Sequence, residues 1–274
     1  STRVEELKKH ILPYFTRIKK SDLKLPPFTD HKPIFSKLND IEMQVYNKIL
    51  DSMSKREVNG FSLHHRLIQT TSNLILLKKP LKEIEESGET FDDEILLDEV
   101  LGLELHKKVM NLNKKNYTPS KFLDLLEILK KRIPKNDKVI IWCRYVDTIK
   151  SLDEFLKKNG FIGDYIIGET PTEEIMGETE RSKILKTFKN NQESKYLISN
   201  PIVLGESVSL HQKCHHAIYL EMDYSAAPYF QSRDRIHRVW LDKNLKQKQY
   251  QTNYYNIISE VDELNTIDLE IYNK

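Results

Sequence analysis

The chain has 274 residues, of which 31% are charged and 39% hydrophobic. This balance is typical of a folded globular protein and excludes wholesale disorder. Lys and Arg (43) nearly balance Asp and Glu (41), so the net charge of +2 does not by itself indicate nucleic-acid binding. No apolar run reaches membrane-spanning length, and the first residues lack the apolar core of a signal peptide. Two cysteines, Cys143 and Cys214, fit a reducing compartment.

The first 115 residues are mostly helical in pattern. Residues 23–28 contain Pro26 and Pro27 in succession, which predicts an extended tether rather than a helix. Residues 41–53 show apolar side chains at helical spacing, and residues 60–115 continue the helical pattern around a polar loop at 83–93. The missing initial Met suggests a processed or excised chain.

From Thr118 onward strands alternate with helices, which predicts an α/β fold with a mostly parallel sheet. Thr118 and Pro119 predict the start of one helix, Asp147 caps a second that ends at Gly160, and Thr179 starts a third. The expected strands are residues 138–143, 165–167, 195–199, 217–220 and 251–258, and the expected later helices are 229–238 and 262–272. We therefore expect three parts: residues 1–115, 116–243 and 244–274.

Polar segments follow several of these strands. They are Arg144 with Tyr145, residues 168–170, Ser199 with Asn200, and residues 205–210. Ligands of parallel sheets gather at the carboxyl ends of the strands. One edge is therefore expected to offer donors to a phosphate or a nucleic-acid backbone, although short polar loops occur in every such fold.

The helix expected at 229–238 carries Arg235 and Arg238, three residues apart and so on one helical face. Two neighbouring guanidinium groups suit a polyanion such as a nucleoside triphosphate. A solvated charged helix is the alternative interpretation for an isolated pair of this kind.

Other patterns are less informative. Residues 163–170 have the spacing of a phosphate-binding loop, but Glu169 stands where its lysine belongs, and residues 165–167 are expected in a strand. Residues 92–95 resemble a magnesium-binding acidic box but fit the acidic first turn of a helix. His211, Cys214, His215 and His216 suggest zinc but lack a second ligand pair, so we expect structural histidines and no metal site.

Taken together, these segments resemble the C-terminal half of the SWI/SNF-type ATPases, helicase-like DNA translocases of superfamily 2. The most specific match is Gln231-x-x-Asp234-Arg235-x-His237-Arg238, which resembles motif VI. The resembling segments are, in chain order, residues 14–27, 44–50, 65–69, 118–123, 138–145, 168–188, 199–210, 231–238 and 254–268. The chain departs from the family at Ser207, where motif V usually has glycine, and at Val239 and Trp240, where motif VI usually continues with Gly-Gln.

The resemblance implies a second RecA-like lobe at 116–243, preceded by a helical brace region and followed by a tail that packs back on the lobe. Arg235 and Arg238 would be the catalytic arginine fingers. Residues expected near ATP are Gln231, Gly205, Glu206 and Asp234. Residues expected on the phosphates of double-stranded DNA are Arg144, Thr170, Ser199 and Asn200.

The resemblance further implies that ATP and Mg²⁺ are bound mainly by a first RecA-like lobe, whose Walker A and B motifs this sequence lacks. That lobe would belong to the same protein or to a partner chain, and further complex subunits are possible. We expect this chain alone to be inactive, and we expect it in the cytoplasm or nucleoid, or in the nucleus of a eukaryote. The alternatives are a non-catalytic RecA-like docking or nucleic-acid-binding module and the lobe of a strand-separating superfamily 2 helicase.

Overall fold

The computed structural model describes residues 2–11, 23, 25–55, 60–81, 97–171, 177–204, 208–238, 251–261 and 265–274. Within these residues, seven strands form one sheet in which all the assigned strand pairs are parallel. The strands are β1 (Phe28–Asp30), β2 (Ile34–Lys37), β3 (Lys138–Trp142), β4 (Ile162–Ile166), β5 (Ser194–Ser199), β6 (Cys214–Tyr219) and β7 (Thr252–Glu260). Their order is β1-β7-β6-β3-β5-β4, with β2 also paired to β7. The expected RecA-like α/β fold is confirmed.

Helices flank this sheet and build a separate layer before β3. They are α1 (Thr2–Ile11), α2 (Asp40–Lys55), α3 (Gly60–Ser72), α4 (Leu97–Leu101), α5 (Leu103–Met110), α6 (Ser120–Lys131), α7 (Val146–Lys158), α8 (Glu180–Asn190), α9 (Ala226–Arg233) and α10 (Ile267–Tyr272), with a 3₁₀ helix at Leu74–Lys78. No helix in the described part of the chain is long and apolar enough to cross a bilayer.

Strand β3 is buried along its whole length, as its continuous apolar sequence predicts. Val139 and Ile141 lie in the core shared with α6 and α7. Ile140 and Trp142 lie in the core of the opposite face, together with Phe188 of α8. Because successive strand residues point to opposite faces, this alternation shows that both faces are covered.

The N-terminal segment forms one edge of the sheet. Strands β1 and β2 lie one after the other along β7, with Asp30 opposite Tyr254 and Ile34 opposite Ile257. The register slips by one residue between them, at a stretch containing Pro33, which has no amide hydrogen and is tolerated at an edge. The extended segment around Pro26 and Pro27 therefore leads directly into the sheet.

The helical layer is joined to the sheet layer at the start of α6. Helix α6 begins at Ser120 with Pro119 as its cap, one residue later than expected, and has no side-chain cap of its own. Instead, the buried carboxylate of Glu42 accepts hydrogen bonds from the Ser120 amide (3.1 Å), the Ser120 hydroxyl (2.5 Å) and the Tyr117 hydroxyl (2.6 Å). A carboxylate at a helix N-terminus satisfies amides that the helix leaves open.

Two other helix ends follow the sequence closely. Thr179 caps α8 by accepting a hydrogen bond from the Ser182 amide, and Gly160 follows α7 with a φ of 82°, a conformation that favours glycine. The last helix begins at Ile267 rather than at 262, because Thr266 caps it; residues 262–264 lie outside the described residues.

Candidate functional site

The carboxyl ends of four strands lie at the same level of the sheet. Ser199 at the end of β5 is opposite both Trp142 of β3 and Ile166 of β4, and Trp142 is opposite Tyr219 of β6. The segments that follow these strands therefore leave the sheet side by side. This register brings Arg144, Thr170 and Asn200 to one edge; their contact with DNA stays a prediction.

Arg144 is held in place by a residue that the sequence analysis did not single out. The buried carboxylate of Glu221 accepts hydrogen bonds from the amides of Arg144 (2.6 Å) and Tyr145 (3.0 Å). Burial raises the pKa of Glu221, although these two hydrogen bonds favour its charged form. The signal that could have revealed it is a carboxylate directly after a buried strand.

The Arg144 side chain is mostly buried but reaches charged groups at this edge. Its Nη1 lies 3.5 Å from a carboxylate oxygen of Asp223, and its guanidinium lies 5.3 Å from the ring centroid of Tyr145.

The other polar residues of this edge are committed to the main chain. The Ser199 hydroxyl is fully buried and donates to the Ile166 carbonyl at 2.7 Å. Its expected contact with DNA stays a prediction. Asn200 is also buried; its amide nitrogen donates to the Arg144 carbonyl (2.7 Å) and its side-chain oxygen accepts from the Ile202 amide (2.8 Å). Thr170 is half-buried, and its hydroxyl accepts from the Ile167 amide at 2.9 Å.

The helix expected at 229–238 is shorter than the sequence predicts. Helix α9 ends at Arg233 with Asp234 as its C-cap, so Arg235 and Arg238 do not share a helical face. The reason is tertiary: Ile236 is pulled into the core, and the Arg235 carbonyl accepts a hydrogen bond from the Leu210 amide at 2.9 Å. We call residues 234–238, which follow the helix, the arginine turn.

The arginine turn holds its two arginines beside the segment that follows β5. Arg235 and Arg238 are both half-buried, and the Arg238 Nε donates to the Asp234 carbonyl at 2.7 Å. Burial, and then the positive charges of Arg238 and Lys189, lower the pKa of His211. Arg238 and Lys189 thus place two positive charges near His211.

The remaining residues expected near ATP divide into two groups. Gln231 is exposed on α9, and Asp234 is half-buried at its C-cap. Gly205 and Glu206 lie outside the described residues. Val208 and Leu210, which follow them, pack in the same core as Ile236, so the chain on that side approaches the arginine turn.

A third arginine, Arg233, was missed by the sequence analysis and contacts a carboxylate and three aromatic rings. Its Nη1 and Nη2 lie 2.8 and 2.9 Å from the two carboxylate oxygens of Asp30. Its guanidinium is 3.8 Å from the ring centroid of Tyr254, and Phe28 and Tyr229 lie beside it at 5.4 and 5.7 Å. Burial disfavours its charge, but the hydrogen bonds and electrostatic interactions with Asp30 and Tyr229 together outweigh that effect and raise its pKa.

No group of acidic, histidine or cysteine side chains in the described residues could hold a metal ion. His211 bonds with the Ser209 hydroxyl (2.6 Å), His216 bonds with Asp137 (3.0 Å), and Cys214 is buried. Residues 92–95, the acidic stretch, lie outside the described residues.

The spacing match at 163–170 is not a phosphate loop. Residues Ile162–Ile166 are strand β4, and a Cβ on Gly163 would lie 2.5 Å from Tyr196. Glycine is therefore required at this position by packing between strands rather than by a bound phosphate.

Comparison with known proteins adds a family match and structural neighbours. Residues 120–239 match the helicase conserved C-terminal domain. The structure is similar to the crystal structure of the C-terminal part of the Fun30 ATPase domain, with a TM-score of 0.60 and 18% identity over 91% of this chain and 89% of that one. It is also similar to the Sulfolobus solfataricus SWI2/SNF2 ATPase core domain, with a TM-score of 0.52 and 17% identity over 93% of this chain and 45% of that one.

No curated protein matches the chain. At these identities the structural likenesses show a shared fold. This chain spans less than half of the Sulfolobus core domain.

Proposed function

We propose that the chain is the C-terminal motor lobe of an ATP-dependent double-stranded DNA translocase of the SWI2/SNF2 type, because residues 120–239 match the helicase conserved C-terminal domain. In this proposal the lobe acts with a first RecA-like lobe, in the same protein or in a partner chain. ATP would lie between the lobes, and DNA along the edge that carries Arg144.

The observation that supports the proposal most is the placement of the arginine turn. Arg235 and Arg238 lie at the end of α9, close to the segment that follows β5, and the main chain of the turn is fixed from two sides by Ser232 and Leu210. Phosphoryl transfer requires positive groups held where negative charge develops on the transferred phosphate.

The two guanidinium groups suit the nucleotide phosphates chemically, whereas Mg²⁺ is assigned to the other lobe. Bound ATP supplies the reaction with a γ-phosphoryl group that water can attack. Arg235 and Arg238 would stabilise the charge of its transition state, and Gln231, exposed on α9, would orient toward the same cleft.

The DNA part of the proposal rests on the shared edge of β3, β4 and β5. Arg144 supplies a guanidinium there, while Asn200 holds the Arg144 carbonyl and Thr170 holds the turn that follows β4. Contacts to phosphate carry little base information, so binding is expected to be independent of sequence and weakened by salt.

The test is DNA-stimulated ATP hydrolysis by the protein that contains both lobes. Arg235→Ala is expected to lower kcat by about 10³-fold or more, as for other arginine fingers. The matched control is Lys131→Ala, which removes an exposed cation paired with Glu127 on α6 and is expected to leave kcat unchanged.

Two outcomes would contradict the proposal. Robust ATP hydrolysis by this chain without a first lobe would show that the site is not divided between lobes. Wild-type hydrolysis by both Arg235→Ala and Arg238→Ala would instead favour a non-catalytic docking module.

A further inference from the structure

The segment Pro26–Asp30 is bound both to the residue that precedes the arginine turn and to a residue within it. Arg233, the last residue of α9, makes a bidentate ion pair with Asp30, and His237 Nε2 in the turn lies 2.9 Å from the Pro26 carbonyl oxygen. Phe28 lies between these anchors, with its ring 5.3 Å from the His237 ring. We call this arrangement the clamp.

The clamp is rigid on the side of the sheet. The Pro27 carbonyl accepts a hydrogen bond from the Thr252 amide at 3.1 Å, and β1 continues along β7. Tyr254 of β7 contacts Arg233 twice, through its ring face and through a hydrogen bond from its hydroxyl to the Arg233 carbonyl at 3.1 Å. Both the side chain and the backbone of Arg233 are thus fixed to the edge of the sheet.

The arginine turn depends on such anchors because α9 does not continue through it. Its main chain is held by short-range bonds from the Arg235 amide to Ser232 and from the His237 amide to Arg233, together with the bond from Leu210. A turn of this kind does not have the repeated hydrogen bonds that fix residues inside a helix. Side-chain anchors beside the turn therefore add to the few main-chain bonds that hold it in place.

We propose that Arg233 is a positioning residue for Arg235 and Arg238, and that its pairing with Asp30 couples the segment Pro26–Asp30 to the arginine turn. This inference rests on the proposed role of Arg235 and Arg238 in ATP hydrolysis. Arg233 itself does not touch the nucleotide; its guanidinium is committed to Asp30, to the Tyr229 hydroxyl at 3.1 Å and to the aromatic rings.

The kinetic test compares Arg233→Ala, Arg233→Lys and Asp30→Asn in the protein that contains both lobes. Each is expected to lower kcat by about 10-fold and to change the KM for ATP by less than about 2-fold, since transition-state positioning and not nucleotide affinity is lost. Arg233→Lys is expected to have a kcat close to that of Arg233→Ala, because an ammonium cannot make the bidentate pair with Asp30 or stack flat on Tyr254. Lys131→Ala again serves as the control.

A second measurement separates positioning from general stability. Hydrogen exchange at the amides of Arg235, Ile236 and His237 should accelerate in all three variants, while exchange in β3 stays as in the wild type. Asp30→Asn keeps the shape of the side chain and the aromatic cage, so it remains informative if Arg233→Ala fails to fold.

Folded Asp30→Asn and Arg233→Lys proteins with wild-type kcat and unchanged exchange in the turn would overturn the inference. If Arg235→Ala also hydrolyses ATP normally, the proposed function fails instead, and the exchange result still reports whether the clamp holds the turn.

Discussion

The parallel strands all begin at one side of the sheet, the amino edge, and all end at the opposite side, the carboxyl edge. Both edges carry buried charges, but these charges have different roles. At the amino edge, the Lys195 ammonium donates to the carbonyls of Pro134 (2.5 Å) and Asp137 (2.6 Å), and the Lys138 ammonium donates to the carbonyl of Ser194 (2.7 Å). Burial lowers the pKa of both lysines. Both ammonium groups donate to main-chain carbonyls where the strands begin, so these charges stabilise the fold.

At the carboxyl edge the buried charge organises a segment that carries another charge. Glu221 fixes the amides of Arg144 and Tyr145, and through them the direction in which the Arg144 guanidinium leaves the sheet. Burial of a charge alone therefore does not mark a functional site. The residues that its hydrogen bonds hold in place, and the edge at which they lie, are more informative.

The largest expected effect comes from removing one buried charge at each edge. Glu221→Ala leaves two amides of the segment after β3 without their acceptor and should lower the free energy of unfolding by about 3 kcal/mol. It should also weaken DNA binding, because Arg144 loses its support. Lys195→Met should lower stability by about 2 kcal/mol, since buried carbonyls lose their donor, yet leave DNA affinity unchanged.

Urea unfolding and DNA titration of the two variants check this contrast. Equal losses of DNA affinity in the two variants would show that both act through general stability, and the distinction between the edges would then be wrong.

Much of the fold could be predicted from the sequence because its signals are local. Three such signals are the continuous apolar run of β3, the cap at Thr179 and the glycine after α7. Each determines the structure of residues that are close to it in sequence. The parallel sheet followed from the alternation of strands and helices, and it is confirmed.

The candidate site was harder to predict because its geometry depends on distant residues. Arg233 and Asp30 are 203 residues apart, and Arg144 and Glu221 are 77 apart. The end of α9 is set by burial of Ile236 and by the hydrogen bond from the Leu210 amide. Neither interaction requires a helix-breaking residue in the sequence. Ser199 is buried, and a polar residue at a strand end gives no sign in the sequence of facing inward.

The next effect concerns pH at the amino edge. Burial, followed by the neighbouring His216, lowers the pKa of His215 to about 4 from an ordinary 6.5, while Asp137 acts in the opposite direction. The unfolded chain therefore binds a proton between these values and the folded chain does not. The free energy of unfolding should be highest above pH 6.5 and fall by about 2 kcal/mol toward pH 4. This decrease is smaller than the full pKa shift implies, because His215 is partly exposed.

Unfolding of wild type and His215→Asn across this range measures the effect as a difference between the two proteins. The difference should change between pH 6.5 and 4, whereas His10→Gln, which alters an exposed histidine of α1, should leave the wild-type profile unchanged. A flat difference for His215→Asn would show that burial at the amino edge does not restrict this imidazole.

The smallest effect separates the two residues that face each other at the carboxyl edge. Arg144→Ala removes a cation from the proposed DNA surface and should reduce the slope of log Kd against log salt by about 1. Asn200→Ala removes only the hydrogen bonds that hold the Arg144 carbonyl and the Ile202 amide, so it should weaken binding without changing that slope.

Titration of the protein with both lobes with duplex DNA at several salt concentrations measures the affinity and the slope. If the slope stays unchanged in Arg144→Ala, the guanidinium does not contact a phosphate; if it falls in both variants, Asn200 acts by orienting that guanidinium.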